Sequence, residues 1–325
     1  MNQVHQESFP IYKATALHLP LHHQQILQTM DTNNQDMFIR LTNSLLVLIV
    51  SNLPFKGSAR TSILSKQWLN IWRESTNLEL NESSFVKLEE NQEIQRIQRI
   101  TFFDFVRHFI VSYPQKAIQK FAVACSKPKR FLSDMQNFVT FAISRNVKEL
   151  EIDFSDPTWR EDNLDNHPAV AELPLQAYHH VGLESLKSLL VNCPLLESLS
   201  LRNCWNVIEH FEISLPNLKL RNLVLDKCNF IHDMFWIDGP KLKFLKYSGK
   251  IGYFHLLDQR DMTEADLDFG MKLEFEEVGA LLYDFLQELY SVRVLTVCSV
   301  FLQVLAALLS LSKDQYISML SLMLR

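Results

Sequence analysis

The sequence predicts an α/β fold in which a small unit of three helices precedes a solenoid with a curved parallel sheet. Three observations carry this prediction. An apolar stretch near the N-terminus has helical spacing, a motif of the form apolar-x-x-apolar-x-apolar recurs from Ala117 onward, and amphipathic stretches lie between several of its copies. Strands that alternate with crossovers of one hand run parallel to each other.

Residues 1–35 contain few large apolar side chains at regular spacing and are rich in histidine. His5, His18, His22 and His23 have no cysteine or acid beside them at the spacing of metal ligands. We therefore interpret 1–35 as a flexible tail without a metal site. Because this segment is polar and lacks an apolar core after a charged start, we also expect no signal peptide.

Residues 36–75 have the spacing of three short helices. Leu45, Leu48 and Ile49 stand at i, i+3 and i+4, and Leu53-Pro54 ends that helix. About thirty residues cannot bury so many apolar side chains among themselves, so we expect another surface to cover part of them. The second and third helices show the same one-face spacing at Ala59 and Ile63, and at Trp68, Ile71 and Trp72.

Residues 76–116 form a connecting segment. Its first part is charged and mixed, and its second part is an apolar helix that would cover the open end of the repeats. The apolar positions of this helix are Phe102, Phe103, Phe105, Val106, Phe109 and Ile110.

The recurring motif marks one strand in each copy, within residues 117–299. The spacing between copies fits leucine-rich repeats, which run about 20 to 29 residues with one strand each. Between copies, helical spacing appears at Met135, Phe138, Val139 and Ala142, with a capping box at Ser133 and Gln136, and again at Val278, Leu281, Leu282, Phe285 and Leu289. The copies are Ile118/Phe121/Val123, Val147/Leu150/Ile152, Leu196/Leu199/Leu201, Leu220/Leu223/Leu225, Leu242/Leu245/Tyr247, Met262/Ala265/Leu267 and Val292/Leu295/Val297.

Alternation along these strands predicts a polar face. If Leu150 and Ile152 point into the core, their neighbours point to the other side of the sheet. Two acidic clusters then bracket a mixed centre, and we expect this face to recruit a partner protein through a basic segment. The alternative is that these are solvated positions of no special role. The candidate binding residues are Glu149, Glu151, Asp153, Arg202, Asp226, Lys246, Glu264, Asp266 and Asp268.

The N-terminal stretch resembles the F-box of the plant F-box/leucine-rich-repeat family. Leu53-Pro54, residues 59–66 (ARTSILSK) and the pair Trp68 and Trp72 are similar to that family's pattern. The resemblance implies docking onto the SKP-type adaptor of a cullin-RING ubiquitin ligase, with the cullin reached indirectly. The residues assigned to this contact are Leu45, Leu48, Ile49, Leu53, Pro54, Leu64, Trp68 and Trp72, of which Trp72 is expected to lie partly in the core.

The repeats resemble the same family. Residues 146–150 (NVKEL), 189–197 (LLVNCPLLE) and 199–204 (LSLRNC) are similar to its leucine-rich repeats. Three departures stand out. Thr42 stands where the family usually has proline, and the interval from Asp156 to Leu183 is short for a full strand and helix. Residues 300–325 form an apolar segment without the family's usual C-terminal domain.

Composition excludes several other functions. A net charge of −5 and a pI near 6.1 argue against nucleic-acid binding. Phosphate-binding loops and catalytic motifs are missing, so we expect neither an enzyme nor a cofactor. We interpret the apolar run from Val292 as a buried strand and helix rather than a membrane span. The five widely spaced cysteines fit reduced thiols in the nucleus or cytoplasm.

The resemblance implies a non-catalytic, substrate-recognition subunit of an SCF-type ubiquitin ligase that binds an unknown client through its repeats. Two alternatives stay open. One is a scaffold derived from an F-box protein that no longer engages the ligase, for which Thr42 is the sequence support. The other is a small-molecule co-receptor, which would need converging basic residues on the polar face.

Overall fold

A computed structural model describes most of the chain between Leu41 and Gln303. The N-terminal tail, residues 157–188 and residues 304–325 lie outside it, so their predicted features are untested. The described residues are 41–53, 55–61, 64, 67–156, 189–204, 211–214, 217–228, 234–238, 241–249, 252–257, 259–269, 275–299 and 301–303.

Helical segments occupy the N-terminal part. Helix α1 spans Asn43–Ser51, α2 spans Phe55–Arg60, and α3 spans Trp68–Ile71, which continues as the 3-10 turn Trp72–Glu74. Thr42 caps α1, since its side chain accepts a hydrogen bond from the backbone N–H of Leu45. The residue that departs from the family pattern therefore begins the helix.

Parallel strands form the centre of the fold. An eight-stranded sheet has the order β1-β2-β3-β4-β6-β8-β10-β11, and each neighbouring pair is parallel. The α/β class and the parallel sheet are thus as predicted. The strands are β1 Asn77–Asn81, β2 Lys120–Ala124, β3 Glu149–Asp153, β4 Ser198–Arg202, β6 Asn222–Asp226, β8 Phe244–Ser248, β10 Glu264–Asp268 and β11 Val294–Val297.

The middle apolar residue of each predicted copy occupies the same level of this sheet. Phe121 pairs with Leu150, Leu150 with Leu199, and so on without a register shift. Such alignment stacks identical positions above one another and builds a continuous apolar layer. The complete row is Phe121, Leu150, Leu199, Leu223, Leu245, Ala265 and Leu295.

Strand β1 was not predicted. It lies in the segment interpreted as a helical connector, and it pairs with β2. Leu78 and Leu80 alternate with polar neighbours there, and both are fully buried. Because the alternation covers only five residues, it was obscured by the charged stretch that follows.

A second parallel sheet also differs from expectation. Strands β5 (Phe211–Ser214), β7 (Met234–Asp238) and β9 (Tyr253–Leu257) form it, and they lie in sequence between strands of the large sheet. We expected helices between strands. The copies from β4 to β10 are too closely spaced for a helix with its two connections, and Phe235 and Ile237 alternate with period two.

Three longer helices pack beside the sheets: α4 (Gln92–Ser112), α5 (Leu132–Ser144) and α6 (Phe275–Glu288). All three coincide with predicted helical stretches. The predicted capping box at Ser133 is wrong, because the 3-10 turn Pro128–Phe131 runs directly into α5. Ser133 therefore lies inside the helix, and Phe131 occupies the cap position without a side-chain bond.

One apolar cluster extends from Leu46 in α1 through the strands to Phe301. All five cysteines are free thiols, and four of them are buried. Within the described ranges, no helix combines the length and apolarity that crossing a membrane requires. The same ranges hold no cluster of three or more His, Cys, Asp or Glu side chains suited to a metal ion.

Candidate protein-interaction surfaces

Helix α1 is apolar on two faces. Leu46 and Val50, four residues apart, are completely buried against the rest of the chain. The opposite face carries the α1 stripe, which we define as Leu45, Leu48 and Ile49, with 46%, 59% and 39% of their surface exposed. Helical spacing places these three side chains on one surface. A second apolar face on one helix is typical of a protein-interaction surface.

Two further predicted contact residues are also exposed. Leu53 follows α1 and is 39% exposed, and Leu64 follows α2 and is 56% exposed. Pro54 lies outside the described residues. Five of the eight residues assigned to adaptor binding from the sequence thus have accessible apolar surface.

Ser58 holds the end of α1 against α2. Its Oγ donates to the carbonyl oxygen of Val50 at 2.8 Å and lies 3.2 Å from that of Leu53. Thr61 then donates its hydroxyl to the carbonyl of Ser58 at 2.7 Å. Ser58 is buried, so these bonds form away from solvent and fix the turn between the two helices.

The two tryptophans lie deeper than the other residues assigned to the adaptor contact, and Trp72 was expected to lie partly in the core. Trp68 is 2% exposed and Trp72 is 8% exposed, so neither lies on the accessible surface. The ring of Trp72 stacks on Phe109 of α4 with centroids 5.6 Å apart, and Phe55 meets it edge-on at 5.8 Å. Helix α4 therefore supplies part of the covering that we expected from a partner. The segments that carry the two indoles pack against α1.

The second surface is the polar face of the eight-stranded sheet, which we call the carboxylate face. The predicted alternation is confirmed, since Leu150 and Ile152 are buried while Glu149, Glu151 and Asp153 are partly exposed. The same holds in β10, where the carboxylates alternate with buried Ala265 and Leu267.

Several of these carboxylates are neutralised by cations of the chain itself. Lys120 lies 2.7 Å from Glu79 and 3.6 Å from Glu151. Burial opposes the charge of Lys120, but the hydrogen bond to Glu79 and the nearby carboxylates raise the pKa of its ammonium group. Arg202 lies between Glu151 at 3.4 Å and Asp226 at 3.3 Å, and Lys246 pairs with Asp266 at 2.6 Å.

Four predicted carboxylates remain outside these ion pairs. Glu149 accepts a hydrogen bond from the side chain of Gln119 at 3.2 Å, and Asp153 accepts two from Ser155. Glu264 and Asp268 form no ion pair with any other part of the chain that the structure describes. The face is therefore acidic at two separate places, near β3 and near β10.

Glu79 and Lys120 also belong to this face, although neither was among the residues predicted from the sequence. Both became relevant only because β1 pairs with β2 and brings the two side chains together. The alternation of Leu78 and Leu80 was the signal that would have found them.

No family model matches the chain. Its relatives in a plant, however, all have names that contain the term F-box. A protein of Arabidopsis thaliana named as an F-box protein is 31% identical over 319 residues, which is 85% of this chain and 68% of the relative. A second F-box protein of that plant is 28% identical over 305 residues, covering 83% of this chain and 66% of the relative.

A third relative from the same plant is named as an F-box/LRR-repeat protein. It is 30% identical over 312 residues, which cover 83% of this chain and 64% of the relative. The chain thus spans about two thirds of the length of these relatives.

Proposed function

We propose, from the premise that this chain belongs to the F-box/leucine-rich-repeat family of plants, that it is the substrate-recognition subunit of an SCF-type ubiquitin ligase. Residues 36–75 are the F-box, and residues 117–299 are a leucine-rich-repeat solenoid. The F-box binds an SKP-type adaptor, and through it the chain joins a cullin-RING complex in the nucleus or cytoplasm.

The α1 stripe is the observation that supports adaptor binding most directly. Leu45, Leu48 and Ile49 stay exposed although the opposite face of the same helix is fully buried. Burying a leucine or isoleucine side chain stabilises an interface by about 1.5–3 kcal/mol before the costs of association. An apolar partner surface would therefore gain considerable affinity from this helix, together with Leu53 and Leu64.

The chain's contribution to the reaction is proximity. The F-box anchors the chain on the ligase, the repeats hold the client, and ubiquitin is transferred by a conjugating enzyme on the RING subunit. Holding two reactants on one assembly raises their effective concentration, so the chain needs no catalytic residue of its own.

Adaptor capture by purified protein tests this proposal. We expect Leu48→Asp combined with Ile49→Asp to weaken binding to a purified SKP-type adaptor at least tenfold, because two charges would be buried in an apolar contact. The matched control is Ile97→Asp on α4, whose side chain is 53% exposed, close to the 59% of Leu48. This control should bind the adaptor like the unmodified chain.

Circular dichroism would establish that both variants keep their helices. Adaptor binding that is unchanged in the double variant would contradict the proposed contact. Absence of binding by the unmodified chain would instead favour a repeat scaffold that no longer engages the ligase.

Thr42 is the sequence observation behind that scaffold alternative. In the structure Thr42 caps α1 with φ −68° and ψ 153°, a backbone geometry that proline also adopts. The departure from the family pattern therefore leaves the beginning of α1 intact. The small-molecule alternative has less support, since Arg202 and Lys246 are already paired with carboxylates of the chain.

A further inference from the structure

The first row of the carboxylate face contains two acidic residues separated by uncharged ones. Glu149 of β3 and Glu264 of β10 occupy the same register level in the large sheet. Three strands lie between them. At this level those strands carry Ser198, Asn222 and Phe244.

Lys120 of β2 stands beside Glu149 at this level, just outside the row, and is paired with Glu79 and Glu151. The other paired cations of the face lie at different levels. Arg202 is at the last position of β4, and Lys246 is at the middle position of β8. Arg202 and Lys246 each form ion pairs with carboxylates of the same chain. The row from Glu149 to Glu264 is therefore an uninterrupted acidic-neutral-acidic path across strands β3 to β10.

Ser200 provides a second and independent observation. Ser200 is the middle residue of β4, two residues after Ser198. Alternation along the strand therefore directs both side chains to the same face. Ser200 is 8% exposed, and among the described residues its Oγ has no hydrogen-bond partner. A buried hydroxyl without a partner is costly, and natural structures usually satisfy such a group. A backbone carbonyl of a bound segment would satisfy it once rotation about χ1 turns the hydroxyl toward that segment.

We propose that this row binds an extended basic segment of the client protein, with one cationic side chain at Glu149 and another at Glu264. This inference rests on the proposed function, since it gives the chemical class of the client. The partly buried ring of Phe244 lies beside Glu264 in the register and covers the aliphatic stem of a lysine or arginine.

The dimensions of the sheet set the spacing of the two basic residues. Neighbouring strands lie about 4.8 Å apart, so the four steps from β3 to β10 span about 19 Å. An extended segment advances about 3.3 Å per residue. Its two cationic side chains should therefore be about six positions apart.

Fluorescence anisotropy with a synthetic probe tests this inference on the full chain. The probe is a labelled peptide of about twelve residues, with two arginines about six positions apart among serine, threonine and glycine. In one comparison peptide the two arginines are adjacent. In the other, both arginines are replaced by glutamates. We expect the spaced basic peptide to bind most tightly, and its affinity to fall as salt is raised.

Neutral substitutions identify the residues involved. Glu149→Gln with Glu264→Gln should weaken the spaced peptide about five- to tenfold, since each anchor loses a partly exposed ion pair. The matched control is Glu89→Gln with Asp284→Asn, which neutralises two exposed carboxylates elsewhere and should leave binding unchanged. Equal binding of all three peptides, or an unaffected double variant, would overturn the inference.

Ser200→Ala separates a binding role from a structural one. We expect the variant to melt at the same temperature as the unmodified chain or higher, because a buried unsatisfied hydroxyl is removed. Its affinity for the spaced peptide should nevertheless fall about two- to fivefold through the lost hydrogen bond. Unchanged peptide affinity would remove Ser200 from the site.

Adaptor capture by the same variants keeps the two proposals distinguishable. The Glu149→Gln, Glu264→Gln variant should bind the adaptor normally. If it does and the spaced peptide shows no preference, the inference about the client fails alone. If peptide binding behaves as expected and the unmodified chain does not bind the adaptor, the ligase function fails alone.

Discussion

Arg99 and Glu82 form a buried ion pair in which one guanidinium donates to both oxygens of one carboxylate. Nε of Arg99 lies 3.1 Å from Oε2 of Glu82, and Nη2 lies 3.1 Å from Oε1. Ser126 donates its hydroxyl to the same carboxylate at 2.5 Å and accepts a bond from Arg99 at 3.2 Å. The pair therefore joins the turn after β1, helix α4 and the turn after β2.

Glu82→Gln should destabilise the fold by about 3 kcal/mol, because the Arg99 charge would stay buried without a compensating carboxylate. Urea unfolding followed by circular dichroism measures this change. Replacing both partners, with Glu82→Leu and Arg99→Met, should restore much of the lost stability, since apolar side chains need no compensation. If the Glu82→Gln variant were as stable as the double variant, this account would be contradicted.

A surface pair provides the control. Glu93 and Arg96 are one helical turn apart at the exposed beginning of α4, and their side chains are 65% and 49% exposed. The hydrogen bond from Arg96 lowers the pKa of the Glu93 carboxyl. Because water screens such a pair, Glu93→Gln should leave the unfolding midpoint unchanged.

The sequence predicted the strands of the large sheet from β2 to β11 because each carries the same spacing of apolar residues. It could not predict the pairing of Lys120 with Glu79, since alternation assigns a face to each side chain but not a neighbour. That neighbour depends on β1, whose five residues give a weak signal. The three strands of the second sheet were missed for a related reason, because each is short and helices were expected between the strands of the repeats.

The α1 stripe shows where sequence reasoning was sufficient. Leu45, Leu48 and Ile49 were assigned to one surface from spacing alone, and the structure exposes all three. Trp68 was assigned to the same surface, and Trp72 partly to that surface and partly to the core; both are buried. Their position depends on Phe109 of α4, which lies far along the chain and could not be connected to them by local spacing.

Ser58→Ala should loosen α1 without unfolding the sheet. The substitution removes the side-chain bond to the Val50 carbonyl, which then keeps only its backbone bonds, and the lost hydrogen bond costs about 1 kcal/mol. Hydrogen exchange measured by mass spectrometry should show faster exchange in α1, and adaptor capture should weaken in parallel. Ser44→Ala is the control, because Ser44 is an exposed residue of the same helix. Unchanged exchange in α1 would show that Ser58 does not hold the helix in place.

Stability should fall at alkaline pH because of buried thiols. Burial raises the pKa of Cys193 to about 11, and it also raises the pKa of Cys125 and Cys204. The folded state therefore keeps protons that the unfolded chain releases near pH 9. This contribution is fully present below pH 9 and is lost as the pH rises toward 11.

Urea midpoints measured between pH 7 and 11 test the Cys193 contribution. Lysines and tyrosines also titrate in this range, so the informative quantity is the difference between the unmodified chain and Cys193→Ala. That difference should shrink as the pH rises above 9. A difference independent of pH would show that the Cys193 thiol titrates normally.

Phe254 joins the second sheet to helix α6, and its removal should destabilise the whole repeat region. Its ring stacks on Phe285 of α6 with centroids 4.0 Å apart and on Phe235 of β7 at 4.5 Å. Phe254→Ala should cost about 3–5 kcal/mol, because it leaves a cavity between the sheet and the helix. Tyr253→Ala is the control. Tyr253 is the adjacent residue of β9, but its side chain is 60% exposed, so its loss should change stability by about 0.5 kcal/mol or less.

If the second sheet unfolds with the large sheet, circular dichroism and tryptophan fluorescence should report one urea transition with the same midpoint. Two separate transitions in the Phe254→Ala variant would instead show that β5, β7 and β9 unfold as an independent unit.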